Sequence, residues 1–69
     1  MLDYGAIANE IVTVMRNKNM TVIRKCDIRA HYKLSPPNAS VLWVYLSELG
    51  CHVNWLDIFV PEEEKPLKT

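Results

Sequence analysis

This 69-residue sequence lacks most of the features that mark special classes of protein. It has two cysteines and two glycines, and no apolar run approaches the length of a membrane span. Two cysteines are too few for the disulfide framework of a small secreted domain. No secretory signal opens the chain, so we expect an intracellular, cytoplasmic protein without a membrane partner.

Metal-binding and catalytic patterns are also lacking. Cys26 and Cys51 have no CxxC partner, and with His31 and His52 they match no zinc-finger spacing. We therefore interpret both cysteines as small buried hydrophobes. The sequence contains no Gly-rich phosphate loop and no nucleophile with a matched base. It predicts a protein that is not an enzyme, with no metal, no cofactor and no small-molecule substrate.

Charge is distributed unevenly along the chain, although the formal net charge is zero. Residues 34–64 contain no Lys or Arg, whereas residues 16–33 carry a local charge of +5 with one acid, Asp27. The six cations of that segment are Arg16, Lys18, Arg24, Lys25, Arg29 and Lys33. One interpretation of this cluster is a solvated face that keeps a small protein soluble, although the charges of such a face are usually interspersed. The one-sided cluster favours a surface that meets an anion, and nucleic acid is the anion we expect.

A first helix is predicted over residues 3–17, with Asp3 as its N-cap. Its buried stripe is predicted from apolar residues at helical spacing: Ile7, Ile11 and Val14. The β-branched segment 20–23 fits one small strand.

Two further helices are predicted next. The second covers residues 25–33, and three of its cations, at i, i+4 and i+8, form one stripe: Lys25, Arg29 and Lys33. Ser35 is a cap for the third helix, Pro36 suits its first turn, and Gly50 ends it. Its predicted core face consists of Ala39, Leu42, Trp43, Leu46 and Leu49.

Residues 51–60 predict a tight hairpin that turns at residues 55–56. The expected inward-facing pairs are Val53 with Ile58 and Cys51 with Val60. One domain over residues 1–61 is predicted, followed by a charged tail over residues 62–69 that we expect to be mobile. A chain this short buries only about 60% of its unfolded surface, so its core is thin.

The predicted order of elements is helix, strand, helix, helix, strand, strand, which is an α+β fold. Within it, a spaced set of residues fits two helices joined by a short turn: Asp27, Ile28, Tyr32, Leu34, Ser35, Asn38, Ala39, Ser40, Leu46 and Gly50. This order and this spacing resemble the winged helix-turn-helix domain over residues 3–60. Size and charge are similar to those of the single-domain regulators of archaea and of their viruses and plasmids.

The resemblance implies transcription regulation by binding of double-stranded DNA, with the third helix in the major groove and the wing beside it. This sequence departs from the family pattern in two ways. The hairpin has no lysine or arginine. The outward face of the third helix carries Val41, Val44, Tyr45 and Glu48, where such proteins usually place Arg, Lys, Gln or Asn.

Three interpretations of that outward face remain open. In the first, Asn38 and Ser40 hydrogen-bond base edges while Val41 contacts thymine methyl groups. In the second, Val44 and Tyr45 form an interface with a partner, most simply in a homodimer. In the third, the hairpin or the first helix covers the face.

The two tryptophans are expected to lie in different environments. Trp43 is interpreted as a core residue. Trp55, at the hairpin tip, is either exposed, where it contacts a DNA groove or a second subunit, or folded back on the first helix.

The sequence thus predicts a small regulator that docks on duplex phosphates through the six clustered cations. Its sequence selectivity is expected to come from the start of the third helix, at Asn38, Ser40 and Val41. The alternative function is a winged-helix protein-interaction module that uses the apolar face of the third helix.

Overall fold

The computed structural model describes residues 3–61, which form three helices and one small antiparallel sheet. The elements in chain order are α1 (Tyr4–Asn17), β1 (Val22–Arg24), α2 (Lys25–Tyr32), α3 (Pro36–Glu48), β2 (His52–Val53) and β3 (Asp57–Phe59). The predicted α+β class and order of elements are confirmed, and the architecture is compatible with a winged-helix fold. The predicted tail lies outside the described residues.

Local chemistry accounts for the ends of the helices. The Asp3 carboxylate accepts a hydrogen bond from the backbone N–H of Ala6 at 3.1 Å, as the N-cap prediction requires. Ser35 occupies the N-cap position of α3, but its side chain makes no capping hydrogen bond. Gly50 follows α3 with φ of 97°, a left-handed conformation that glycine adopts without steric cost.

The sheet has the strand order β1-β3-β2, so β3 is central. The predicted pairing of Val53 with Ile58 is confirmed, and Ile58 also pairs with Ile23 of β1. The backbone N–H of Asn54 donates to the carbonyl of Asp57 at 2.8 Å, which closes the predicted turn at residues 55–56. The strand β1 begins two residues later and ends one residue later than the predicted segment 20–23.

The core lies between α1, α3 and the inner face of the sheet. Its most deeply buried large side chains are Met15, Leu42, Leu46 and Ile58. Burying each such side chain contributes about 1.5–3 kcal/mol. None of the helices within residues 3–61 combines the length and the apolar character that crossing a membrane would need.

Three predictions about burial are wrong. Val14 is 39% exposed because Met15, the next residue, takes the inward position at the end of the buried stripe of α1. Leu49 is also exposed, since it caps α3 and lies beyond the last helical residue. Cys26 is exposed and only Cys51 is buried. Cys26 precedes the single buried residue of α2, Ile28, by two positions, which places it about 200° around the helix.

Candidate functional site

A groove lies where the start of α2, the middle of α3 and the hairpin tip meet. Its volume is about 570 Å³, and we call it the cationic groove after three of its lining residues, Arg24, Lys25 and Arg29. Trp43 of α3 and Trp55 of the hairpin also line it. The structure therefore brings together three of the six clustered cations and both tryptophans.

The direct junction between β1 and α2 positions these cations. Arg24 is both the last residue of β1 and the N-cap of α2, and no loop separates the two elements. The backbone N–H of Lys25 donates to the carbonyl of Leu56 at 2.9 Å, which holds the hairpin tip against the helix start. Arg24 lies opposite Asp57 in the β1–β3 ladder. The formal charge of the groove from three cations and Asp57 is therefore +2.

Lys25 packs on Trp43 at the wall of the groove. Its ammonium Nζ lies 5.3 Å from the centroid of the Trp43 ring, within the range of a cation–π interaction. Trp43 is half-buried and packs against the core, so its interpretation as a core residue holds in part. The ring also restrains Lys25, whereas Arg24 and Arg29 are exposed.

Trp55 is the most exposed of the large apolar side chains in the described region, at 89%. The interpretation in which it folds back on the first helix is therefore wrong. Its neighbour in the turn, Leu56, is 66% exposed. The hairpin tip thus presents an indole ring to solvent beside the cations at the start of α2.

The other three cations lie outside this groove. Arg16 lines a second concavity with His52 and Pro61, and its Nη2 donates to the Pro61 carbonyl at a long 3.5 Å. Lys18 and Lys33 are exposed residues that follow the ends of α1 and α2. Because Lys33 has left-handed backbone geometry (φ 56°), it departs from the helical track, and the predicted stripe on α2 continues only as far as Arg29.

The outer face of α3 is exposed and apolar. Val41 is 43% exposed, Val44 56% and Tyr45 42%, and these three residues are called the apolar α3 face. A Cβ atom added at Gly5 of α1 would lie 3.7 Å from Cε1 of Tyr45, so the tyrosine ring packs beside the start of α1. The interpretation in which another element covers this face is wrong for Val41 and Val44.

Asn38 and Ser40, at the start of α3, are both exposed. Both side chains are therefore accessible from solvent. Their roles, like those of the cations, stay predictions.

A hydrogen bond between α1 and α2 fixes the far end of the α2 helix. The Tyr32 hydroxyl donates to Glu10 Oε1 at 3.2 Å. Burial, the negative charge of Glu10 and this hydrogen bond raise the pKa of Tyr32 above its ordinary value. Burial also raises the pKa of the Cys51 thiol, and the positive charge of Arg16 opposes that shift in part. Within residues 3–61 no group of three His, Cys, Asp or Glu side chains is arranged to hold a metal ion.

Comparison with protein-family models, with curated proteins and with solved structures finds no match to this chain. The chemistry of the site therefore rests on its own side chains: three cations, one acid and two indole rings around one concavity. Asp57 and Trp43 were not among the predicted site residues. The signal that could have placed Asp57 there is the pairing of β1 with β3, which sets it opposite Arg24.

Proposed function

We propose that this domain binds double-stranded DNA as a small transcription regulator, and that it docks through the cationic groove. The observation that carries the proposal is the convergence of Arg24, Lys25 and Arg29 on one concavity beside α3. Residues 34–61, which form α3 and the hairpin, add no Lys or Arg to any other surface. Three of the six clustered cations therefore lie where α2, α3 and the hairpin meet.

Cations of this kind contact phosphates, which gives affinity and orientation without sequence information. Arg24 and Arg29 are suited to this role because a guanidinium group can form two parallel hydrogen bonds with a phosphate. Lys25 acts as a restrained point charge, since Trp43 already contacts its ammonium. The expected outcome is binding that depends strongly on salt and weakly on sequence.

Selectivity comes from the start of α3 in this proposal. Asn38 can form two hydrogen bonds with an adenine edge, Ser40 can donate or accept one, and Val41 can contact a thymine methyl group. Each pair of hydrogen bonds to the correct base contributes about 1–3 kcal/mol of discrimination. With so few polar residues on α3, we expect semi-specific binding.

The test is a titration of a labelled blunt duplex with the protein at several salt concentrations. The logarithm of the binding constant should fall linearly with the logarithm of the salt concentration. The slope should be roughly −3 if only the three groove cations contact phosphates, and roughly −5 if all six do. Salt-independent binding, or none to any duplex, would contradict the proposal.

Two double variants with the same change in charge locate the contact. Arg24→Gln with Arg29→Gln removes two charges from the groove, and the slope should flatten by about two. Lys18→Gln with Lys33→Gln removes two exposed charges outside it and serves as the matched control. Equal effects of the two pairs would show that binding follows overall charge and is not located in the groove.

A second candidate function is a protein-interaction module, and the exposure of Val41 and Val44 favours it. Apolar side chains that neighbour each other on a helix and remain exposed mark contact sites for other proteins. Val41→Glu with Val44→Glu should leave the fold intact because both residues point outward. The mass of the protein in solution, measured by light scattering, then decides the role: conversion of a dimer to a monomer shows an interface. Val14→Glu, which places the same charge on an exposed site of α1, is the control.

A further inference from the structure

We propose that the cationic groove also takes an unpaired nucleotide, with the base stacked on Trp55 and the flanking phosphates on Arg24 and Arg29. This inference rests on the proposed function, because it assumes that the groove serves nucleic acid. It adds a ligand class, single-stranded segments at duplex ends, gaps or melted sites, that duplex binding alone does not include.

The position of Trp55 is the first observation. A two-residue hairpin turn favours Asn, Asp and Gly, so the turn itself gives no reason for a tryptophan. Core packing gives none either, because the side chain is 89% exposed. An indole ring exposed to water at a hydrogen-bonded turn is available for stacking on a flat ligand.

The surroundings of Trp55 indicate which flat ligand fits. The groove beside it has a formal charge of +2 and a volume of about 570 Å³, within the roughly 300–1,000 Å³ range of small-ligand sites. Successive phosphates would meet the cations while the base meets the ring. Sites for single strands combine these two parts, a positively charged groove and an aromatic platform.

Base stacking within a duplex is the reason for proposing an unpaired ligand. Inside a duplex, neighbouring base pairs cover both faces of each base, and only the two terminal pairs keep one open face. Away from the ends, an indole ring therefore gains a stacking contact only with a base outside the stack. The hairpin is short, with two residues in β2 and three in β3, and residues 51–60 contain no cation with which to follow a duplex groove. Trp43 is engaged by Lys25, which leaves Trp55 as the free platform.

The experiment compares a blunt duplex with the same duplex carrying a short single-stranded thymidine extension. Stacking of one base contributes about 1–3 kcal/mol, so the extended duplex should bind roughly 5- to 140-fold more tightly. Trp55→Ala should abolish this preference, and Trp55→Tyr should retain most of it because the aromatic face remains. Leu56→Ala, which removes the other exposed apolar side chain of the turn, is the matched control and should keep the preference.

An inorganic polyphosphate with the same number of charges as oligothymidine separates stacking from charge. The emission of Trp55 is the part of the tryptophan fluorescence that is missing in Trp55→Ala. Oligothymidine should quench this emission, and polyphosphate should not. Equal quenching by both anions, or an unchanged preference for the extended duplex in Trp55→Ala, would overturn the inference.

The two proposals fail in different ways. If the unpaired-nucleotide site is wrong, the blunt duplex still binds with its salt dependence and the extension adds nothing. If duplex binding is wrong, the blunt duplex does not bind, and a Trp55-dependent response to oligothymidine still supports the single-strand site.

Discussion

The cationic groove and the apolar α3 face are both exposed surfaces, yet their chemistry is opposite. The groove collects Arg24, Lys25 and Arg29 around two indole rings. The α3 face presents two valines and a tyrosine, and α3 has no basic residue in its last turn. In a DNA-binding protein these surfaces would separate the charges that hold phosphates from the side chains that contact bases.

Because the cationic groove and the apolar α3 face are separate surfaces, affinity and selectivity can be changed independently. Removal of a groove cation should weaken binding to every duplex alike, because phosphate contacts do not distinguish sequences. A change on α3 should alter selectivity or self-association and leave the salt dependence unchanged.

The largest expected effect concerns the two sides of α3. Leu42→Ala removes a fully buried side chain and should lower the free energy of unfolding by about 2–5 kcal/mol. Val44→Ala removes an exposed side chain from the same helix and should change that free energy by no more than about 0.5 kcal/mol. Chemical denaturation measures both values. A large loss of stability for Val44→Ala would mean that the apolar α3 face is part of a packed interface.

Arg29→Ala should have the next largest effect, on duplex affinity. Loss of one charged hydrogen bond to a phosphate should weaken binding by about 1.5–3 kcal/mol, and the salt slope should flatten by about one. Fluorescence anisotropy with two unrelated duplexes should give the same loss for both. A loss confined to one sequence would show that Arg29 contacts bases, and would remove the proposed separation.

Lys25→Ala tests the contact between Lys25 of α2 and Trp43 of α3. The cation–π interaction with Trp43 should contribute about 0.5–1 kcal/mol to folding, so thermal or chemical denaturation should show a loss of that size. Lys25→Arg keeps a cation over the ring and should restore most of the stability. If Lys25→Ala is as stable as the original protein, the indole ring does not hold this side chain in place.

Trp55→Ala should have the smallest effect when the ligand is a blunt duplex. The side chain is almost fully exposed and carries no charge, so duplex affinity should change less than in Arg29→Ala at moderate salt. The free energy of unfolding should also stay within about 0.5 kcal/mol. A larger affinity loss than that of Arg29→Ala would make the hairpin tip the primary contact with duplex DNA.

Much of the fold could be predicted because its signals are local. Asp3 and Gly50 mark helix ends through capping chemistry that depends on a few neighbouring residues. The alternation of side chains in the hairpin was enough to give the pairing of Val53 with Ile58. Burial was less predictable: Val14 and Met15 are adjacent apolar residues, and which one faces inward depends on how α1 packs against α3.

The candidate site was only partly predictable because it depends on contacts between distant segments. The cations were evident from composition, but their division between the groove and other surfaces follows from how β1, α2 and the hairpin meet. The β1–β3 pairing brings Asp57 opposite Arg24, and the contact of Trp43 with Lys25 joins α3 to α2. Neither contact has a local signature in the sequence.

The short hairpin also determines how this fold can evolve or be engineered. Side chains alternate between the two faces of a strand, so lengthening each strand by two residues at the tip would preserve the inward direction of Val53 and Ile58. Lengthening each strand by one residue would turn the hairpin tip toward the opposite face of the sheet. Insertions of equal length on both sides of the turn at residues 55–56 could therefore add cationic or base-contacting segments, in evolution or by design, without repacking the core.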